Sequence, residues 1–183
     1  VIEHWNKEGV ITFQSTDPMN EPATNYWGAN SNKQEGCHFS QGESQSKILV
    51  ALNEELKNKG INIIISGTDE TNSGYNGGQG GQIDSYNKLS DEAKAVLGRI
   101  DTHTYTRSSL SDLSALAQSE GKNLWMSEVD GSYTAGTKAG EMSAALGLAG
   151  AMMTEVNGLK CSAWILWNAI DMHADSSEYG QSW

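Results

Sequence analysis

Two glutamates in this chain sit where an apolar run stops and a polar loop begins. Glu21 lies in Thr16-Asp17-Pro18-Met19-Asn20-Glu21-Pro22, and Glu128 ends Leu124-Trp125-Met126-Ser127-Glu128. A carboxyl at the mouth of a strand, against tryptophan, can be tuned for proton transfer or nucleophilic attack. Two such acids from two strands of one scaffold are the minimum equipment for cleaving a glycosidic bond. The plainer reading of each is a solvated loop acid, so the elements that hold them decide.

Those elements alternate. Residues 10–14 form a short apolar run, followed by a polar loop and a helix over 43–58 with Ile48, Leu49, Leu52 and Leu56 at helical spacing. Gly60 stands where a C-terminal cap belongs. Residues 61–65 are a nearly continuous β-branched run and read as a strand buried on both faces. A helix over 91–97 has Ser90 as N-cap and Gly98 at its end. The remaining units are strand 99–102, helix 109–119, strand 123–126, helix 137–156 ended by Gly158, and strand 161–167. A helix end around residues 5–7 precedes them all. Regular alternation argues for a parallel sheet covered by helices. Aromatic and glycine-rich loops follow the strands while the helix-to-strand returns are tight, which puts function at the strand C-termini.

Five strands fit either an open doubly wound sheet or part of a (β/α)8 barrel. The Gly77-Gly78-Gln79-Gly80-Gly81 run follows the second strand without the Lys-Ser/Thr of a phosphate loop, so it reads as a flexible loop. A nucleotide-binding domain is the rival it leaves open. A closed barrel takes about 250 residues, so the 183 present would be a portion of one.

Bulk properties narrow the partners. The chain is 37% hydrophobic with mean hydropathy −0.50, within globular range and without a membrane-length apolar run. A formal charge of −11 with no basic stripe argues against nucleic acid. Cys37 and Cys161 fall at opposite ends of the expected sheet, so both are expected as free thiols. No Cys/His cluster has zinc spacing, and neither a metal nor a cofactor is expected. The chain opens on Val1 without a signal peptide, so targeting cannot be read from it.

The ordered motifs are more specific. Pro18-Met19-Asn20-Glu21-Pro22 and, three strands later, Trp125-Met126-Ser127-Glu128 resemble retaining glycoside hydrolases whose barrels carry their acids on strands four and seven. Gln34-Glu35-Gly36, Ile65-Ser66-Gly67-Thr68-Asp69-Glu70, Thr102-His103-Thr104-Tyr105 and Ser162-Ala163-Trp164-Ile165-Leu166-Trp167 are similar to glycoside hydrolase family 30, particularly its endo-β-1,6-galactanase branch. The resemblance implies an α/β fold, the C-terminal portion of a (β/α)8 TIM barrel of parallel strands spanning 1–183. Counterparts of strands one to three, the last helix and the family's small β-domain have no match in this sequence.

On that resemblance Glu21 matches the general acid/base and Glu128 the nucleophile. Asn20 is expected to contact the sugar 2-hydroxyl, with turn formation before Pro22 as the alternative. His103 and Tyr105 alternate off one strand and are expected in the cleft, Tyr105 orienting the nucleophile. Trp27, beside Tyr26, is expected to stack on a sugar face, and Trp167 to floor the subsite of the cleaved sugar; Trp164 reads as core. Glu35 is a candidate specificity residue or a helix N-terminal charge, and Asp69 a substrate contact or a turn cap. The expected activity is retaining endo-hydrolysis of plant polysaccharide, β-1,6-galactan first, by a secreted monomer. The rivals are a family 30 xylanase or β-glucosidase-type hydrolase and a non-catalytic carbohydrate-binding relative.

Overall fold

A computed structural model of the chain describes residues 1–28, 36–75, 80–130 and 141–167. Its elements run α1 (Ile2–Glu8), β1 (Ser15–Thr16), α2 (Glu43–Asn58), β2 (Ile64–Asn72), α3 (Gln82–Lys88), α4 (Asp91–Val96), β3 (Leu97–Thr106), α5 (Leu110–Ser119), β4 (Asn123–Asp130), α6 (Met142–Leu159) and β5 (Ala163–Trp167). The strands form one sheet in the order β1-β2-β3-β4-β5, and every neighbouring pair is parallel. A doubly wound sheet must reverse its strand order at a switch point. This sheet never reverses, so it is a run of successive units of a (β/α)8 barrel.

Local chemistry accounts for most boundaries. In α4, the Ser90 side chain accepts from the Ala93 N–H at 3.2 Å, with Asp91 and Glu92 against the positive end of the helix dipole. After α2, Gly60 takes φ +65 and the chain folds back through Ile61 N–H to Leu56 O at 2.9 Å. Leu49 and Leu56 of α2, Ile83 and Tyr86 of α3, Leu113 of α5 and Leu159 of α6 pack on Ile65, Leu97, Ile100, Leu124, Met126 and Val129. That helix–sheet layer is the hydrophobic core.

The other sheet face, the barrel interior, is polar. Arg99 is buried and forks onto Asp101, with Nε to Oδ1 at 2.6 Å and Nη2 to Oδ2 at 2.8 Å. It also donates to Ser15 and Ser66 and lies 3.5 Å from the Trp125 ring centroid. A buried guanidinium is tolerated because its donors are satisfied and its face is stacked.

Several boundaries correct the sequence reading. Strand β1 pairs only at Ser15 and Thr16, while Val10 and Ile11 are exposed, because no strand among the described residues pairs with its outer edge. Strand β2 starts at Ile64 instead of residue 61 and continues through the polar Gly67–Asn72 stretch. Strand β3 extends from Leu97 to Thr106, and Gly98 lies within it, where a Cβ would come 2.9 Å from Ile64 Cγ2. Gly158 does not end α6; the helix passes through it to Leu159, and a Cβ there would meet Leu110 at 2.9 Å. Helix α3 has no apolar periodicity long enough to announce it. Cys37 and Cys161 are free, as expected.

Candidate active site

The strand C-termini bring five of the nominated residues together. Glu21 follows β1 and holds φ +47, a left-handed conformation costing a non-glycine residue about 1 kcal/mol or more, although the following Pro22 favours extended backbone at this position. Hydrogen bonds over-determine it. Its N–H donates to Asp69 O at 2.9 Å, and its carbonyl accepts from Thr24 Oγ1 at 2.7 Å and from the Trp27 indole N–H at 2.9 Å. Its carboxyl accepts from the Tyr26 hydroxyl at Oε2 and faces His103 Nδ1 at 3.2 Å from Oε1.

Glu128, near the end of β4, accepts from the Tyr105 hydroxyl at 2.9 Å and lies 3.7 Å from His103 Nδ1. One side-chain atom each of Glu21, His103 and Glu128 falls within 4.8 Å of the other two. Such a triad has the donor set of a cation site, and a buried imidazole held above its ordinary range by the facing carboxyls can supply the counter-charge instead. Burial pushes the Glu128 carboxyl upward, offset by His103 and the Tyr105 hydroxyl, with Glu21 and Asp69 adding to the rise. Burial and the neighbouring Glu128 charge push the Tyr105 phenol up, so it stays a donor.

Two register breaks aim these groups. Thr68 and Glu70 of β2 face Asp101 and Thr102, leaving Asp69 as an extra residue with φ +60. Met126 and Glu128 of β4 face Thr102 and His103, leaving Ser127 extra. Such bulges turn side chains that strict alternation would direct elsewhere. The two extra residues meet: Ser127 Oγ donates to Asp69 Oδ1 at 2.5 Å. Tyr26, expected with Trp27 as a sugar-stacking aromatic, and Ser127, not itself a nominee, also belong to the cluster. The sequence signal for Ser127 was only adjacency to Glu128.

The remaining nominees sit differently. Asn20 is exposed beside Glu21. Trp27 is half-buried, with Gly36 packed so close that a Cβ there would lie 2.6 Å from the indole. Its visible work is holding the Glu21 backbone. A cavity of about 360 Å³ opens beside Tyr26, lined by Thr24, Asn25, Tyr26 and Thr71. Trp167 ends β5 opposite Asp130 and is 44% exposed, while Trp164 is partly packed against the core and donates to Glu155. Glu35 lies outside the described residues, as do residues 76–79 of the glycine-rich run. The end of that run has a structural use: Gly80, at φ +73, lies against the Glu70 carboxylate with no room for a Cβ.

A polar scaffold underlies the cluster. Glu70 is fully buried and accepts from Ala23 N–H at 3.2 Å, Gln45 Nε2 at 2.7 Å and Ser85 Oγ at 2.5 Å. It ties the Glu21 loop to α2 and α3. Burial pushes its carboxyl up, and those three donors oppose the push.

The chain is thus a parallel strand–helix segment of a (β/α)8 barrel with paired carboxyls at its strand C-termini. Comparison with known proteins narrows the barrel's family. The chain is 27% identical to an endo-β-1,6-galactanase of Hypocrea rufa over 93% of its own length and 33% of that protein. It is 33% identical to an exo-β-1,6-galactobiohydrolase of Bifidobacterium longum subsp. longum over 92% of its length and 12% of that protein. Among solved structures it superposes on the catalytic domain of family 30 xylanase C from Talaromyces cellulolyticus with a TM-score of 0.65, at 20% identity, covering 91% of this chain and 35% of that one. No protein-family profile matches the chain. The resemblance to the endo-β-1,6-galactanase branch of family 30 therefore extends along nearly the whole chain, and the fold is the C-terminal part of that family's barrel. The chain spans a third or less of the length of these curated relatives.

Proposed function

We propose that this chain carries the catalytic half of a retaining β-glycosidase acting on β-1,6-linked galactan. The observation that carries the reading is the convergence of Glu21 and Glu128, with carboxyl oxygens within 4.8 Å. Retaining enzymes keep their carboxyls about 5–5.5 Å apart, whereas inverting ones need about 6.5–9.5 Å to admit a water. Glu128, as carboxylate, attacks the anomeric carbon. Glu21, as carboxylic acid, protonates the departing glycosidic oxygen. A covalent glycosyl–Glu128 ester forms, and Glu21 then takes a proton from the water that hydrolyses it. Tyr105 fixes the attacking carboxylate, and Asn20 and Trp167 line the sugar site. The β-1,6-galactan linkage is supported by the names of both curated relatives. A polymeric substrate fits a secreted protein.

The test is hydrolysis of β-1,6-galactan, with the anomeric configuration of the first product followed by proton NMR. We expect retention, and losses of about 10³-fold or more in kcat for Glu128→Gln and Glu21→Gln. Binding of the galactan without turnover, or an inverted product, overturns the reading. A panel of xylan and aryl β-glucosides decides the linkage.

A further inference from the structure

We propose that Asp69 and Ser127 are positioning residues that hold His103 as a permanent imidazolium between the two glutamates, so that His103 is an internal counter-charge and not a sugar contact. The inference deepens the reading above and rests on it for its catalytic consequence.

The geometry is specific about the proton count. His103 is 0% exposed, and both ring nitrogens face carboxylates. Nδ1 lies 3.2 Å from Glu21 Oε1 and 3.7 Å from Glu128 Oε1, while Nε2 lies 3.3 Å from Asp69 Oδ2. The Nε2 contact is close but off-line for a hydrogen bond, so it acts chiefly through charge. A neutral imidazole has one N–H and one lone pair. Either tautomer would therefore turn a lone pair toward a carboxylate oxygen in a dry site. Only the doubly protonated ring offers an N–H toward Asp69 on one side and toward Glu128 on the other, whether or not Glu21 carries its acid proton. Burial alone would drive the His103 proton off, but Asp69, Glu21 and Glu128 outweigh it and hold the ring well above its ordinary range.

The charged and titratable groups around His103 come from every neighbouring element. They are Glu21 and Asp17 after β1, Asp69 on β2, Arg99, Asp101 and Tyr105 on its own strand, and Glu128 on β4. Asp69 alone among the nearest three has no role in bond cleavage, and Ser127 Oγ holds it. The consequence concerns both half-reactions. Before attack the cation steadies the Glu128 carboxylate; once Glu128 is esterified, it steadies the Glu21 carboxylate left by proton donation. One fixed charge serves both states without a proton of its own moving.

The experiment is a pH titration of the imidazole 15N resonances, with hydrolysis measured in parallel. In the unaltered protein, His103 should keep both N–H protons throughout the pH window in which an ordinary imidazole loses one. In Asp69→Asn, His103 should titrate inside that window, and kcat should fall about tenfold as pH rises through the new inflection, with KM changing less than about threefold. Ser127→Ala should move the inflection the same way by less, and it covers the case in which Asp69→Asn fails to fold. A His103 that titrates normally in the unaltered protein, or that stays protonated in both variants, overturns the proposal. So does a KM increase in Asp69→Asn that is equal at all pH values, the mark of a lost sugar contact. The NMR result needs no turnover, so an inactive protein would count against the glycosidase reading and leave this one to be decided by the spectra.

Discussion

Tyr105 is the side chain whose single atom has the clearest task. Its hydroxyl donates to Glu128 Oε1 at 2.9 Å from a phenol kept protonated by its surroundings. A hydrogen bond to a charged group contributes about 1.5–3 kcal/mol, so Tyr105→Phe should lower kcat by roughly 10- to 150-fold with little loss of thermal stability. Unchanged turnover would remove Tyr105 from the nucleophile's support. Asp17 makes a different point. Its Oδ1 accepts from Met19 N–H at 3.0 Å, but Oδ2 is buried with no hydrogen-bond partner among the described residues. Burial, with the charges of Asp69 and Asp101, pushes its carboxyl well up. A raised folded value means the native state binds the proton more tightly. The contribution is therefore full below the ordinary carboxylate range and is lost as pH rises through the raised value. Glu70 and Asp101, also raised by burial, act in the same sense. Melting temperature should be higher at pH 5 than at pH 8, and Asp17→Asn should reduce the difference; a melting temperature that rises toward pH 8 contradicts this.

Among the elements, α3 and the loop after β1 are welded together by one carboxylate. Replacing Glu70 by Ala would strand the Ala23 N–H, Gln45 Nε2 and Ser85 Oγ that it satisfies. Removing one partner from a buried charged network costs about 3–5 kcal/mol, so Glu70→Ala should unfold at clearly lower denaturant and lose activity through displacement of Glu21. Stability within about 1 kcal/mol of the parent would refute this role. The same elements mark how far the sequence could be read. Helix α2 announced itself through apolar spacing and Gly60, and α4 through Ser90 and its acids, because those signals are local. The strand ends did not. The segment Gly67–Asn72 is polar because it faces a hydrogen-bonded interior, and no periodicity in the chain separates that from a loop. Glu21 and Glu128 stood out by motif. That Trp27 grips the Glu21 carbonyl, and that Ser127 reaches Asp69, depends on contacts across the sheet.

At the scale of the molecule, the sheet has two borders, β1 and β5, that pair with no further strand among the described residues. Strand β1 is two residues long with Val10 and Ile11 exposed near it, and β5 carries Ile165 and Trp167 at 42% and 44% exposure. Unpaired apolar strand edges recruit other chains. Residues 1–183 prepared alone should self-associate with concentration and bind an apolar dye, as read by light scattering and fluorescence. A monodisperse, dye-silent preparation would show that these borders are already covered. The register breaks at Asp69 and Ser127 carry a practical corollary for anyone splicing this barrel with a homologue. A chimera whose junction falls between them would inherit one irregularity without its mate, and a one-residue mismatch in either strand inverts which way its tip points. Crossovers placed before Thr68 or beyond Glu128 keep the pair together, and grafted specificity loops should be exchanged only across those seams.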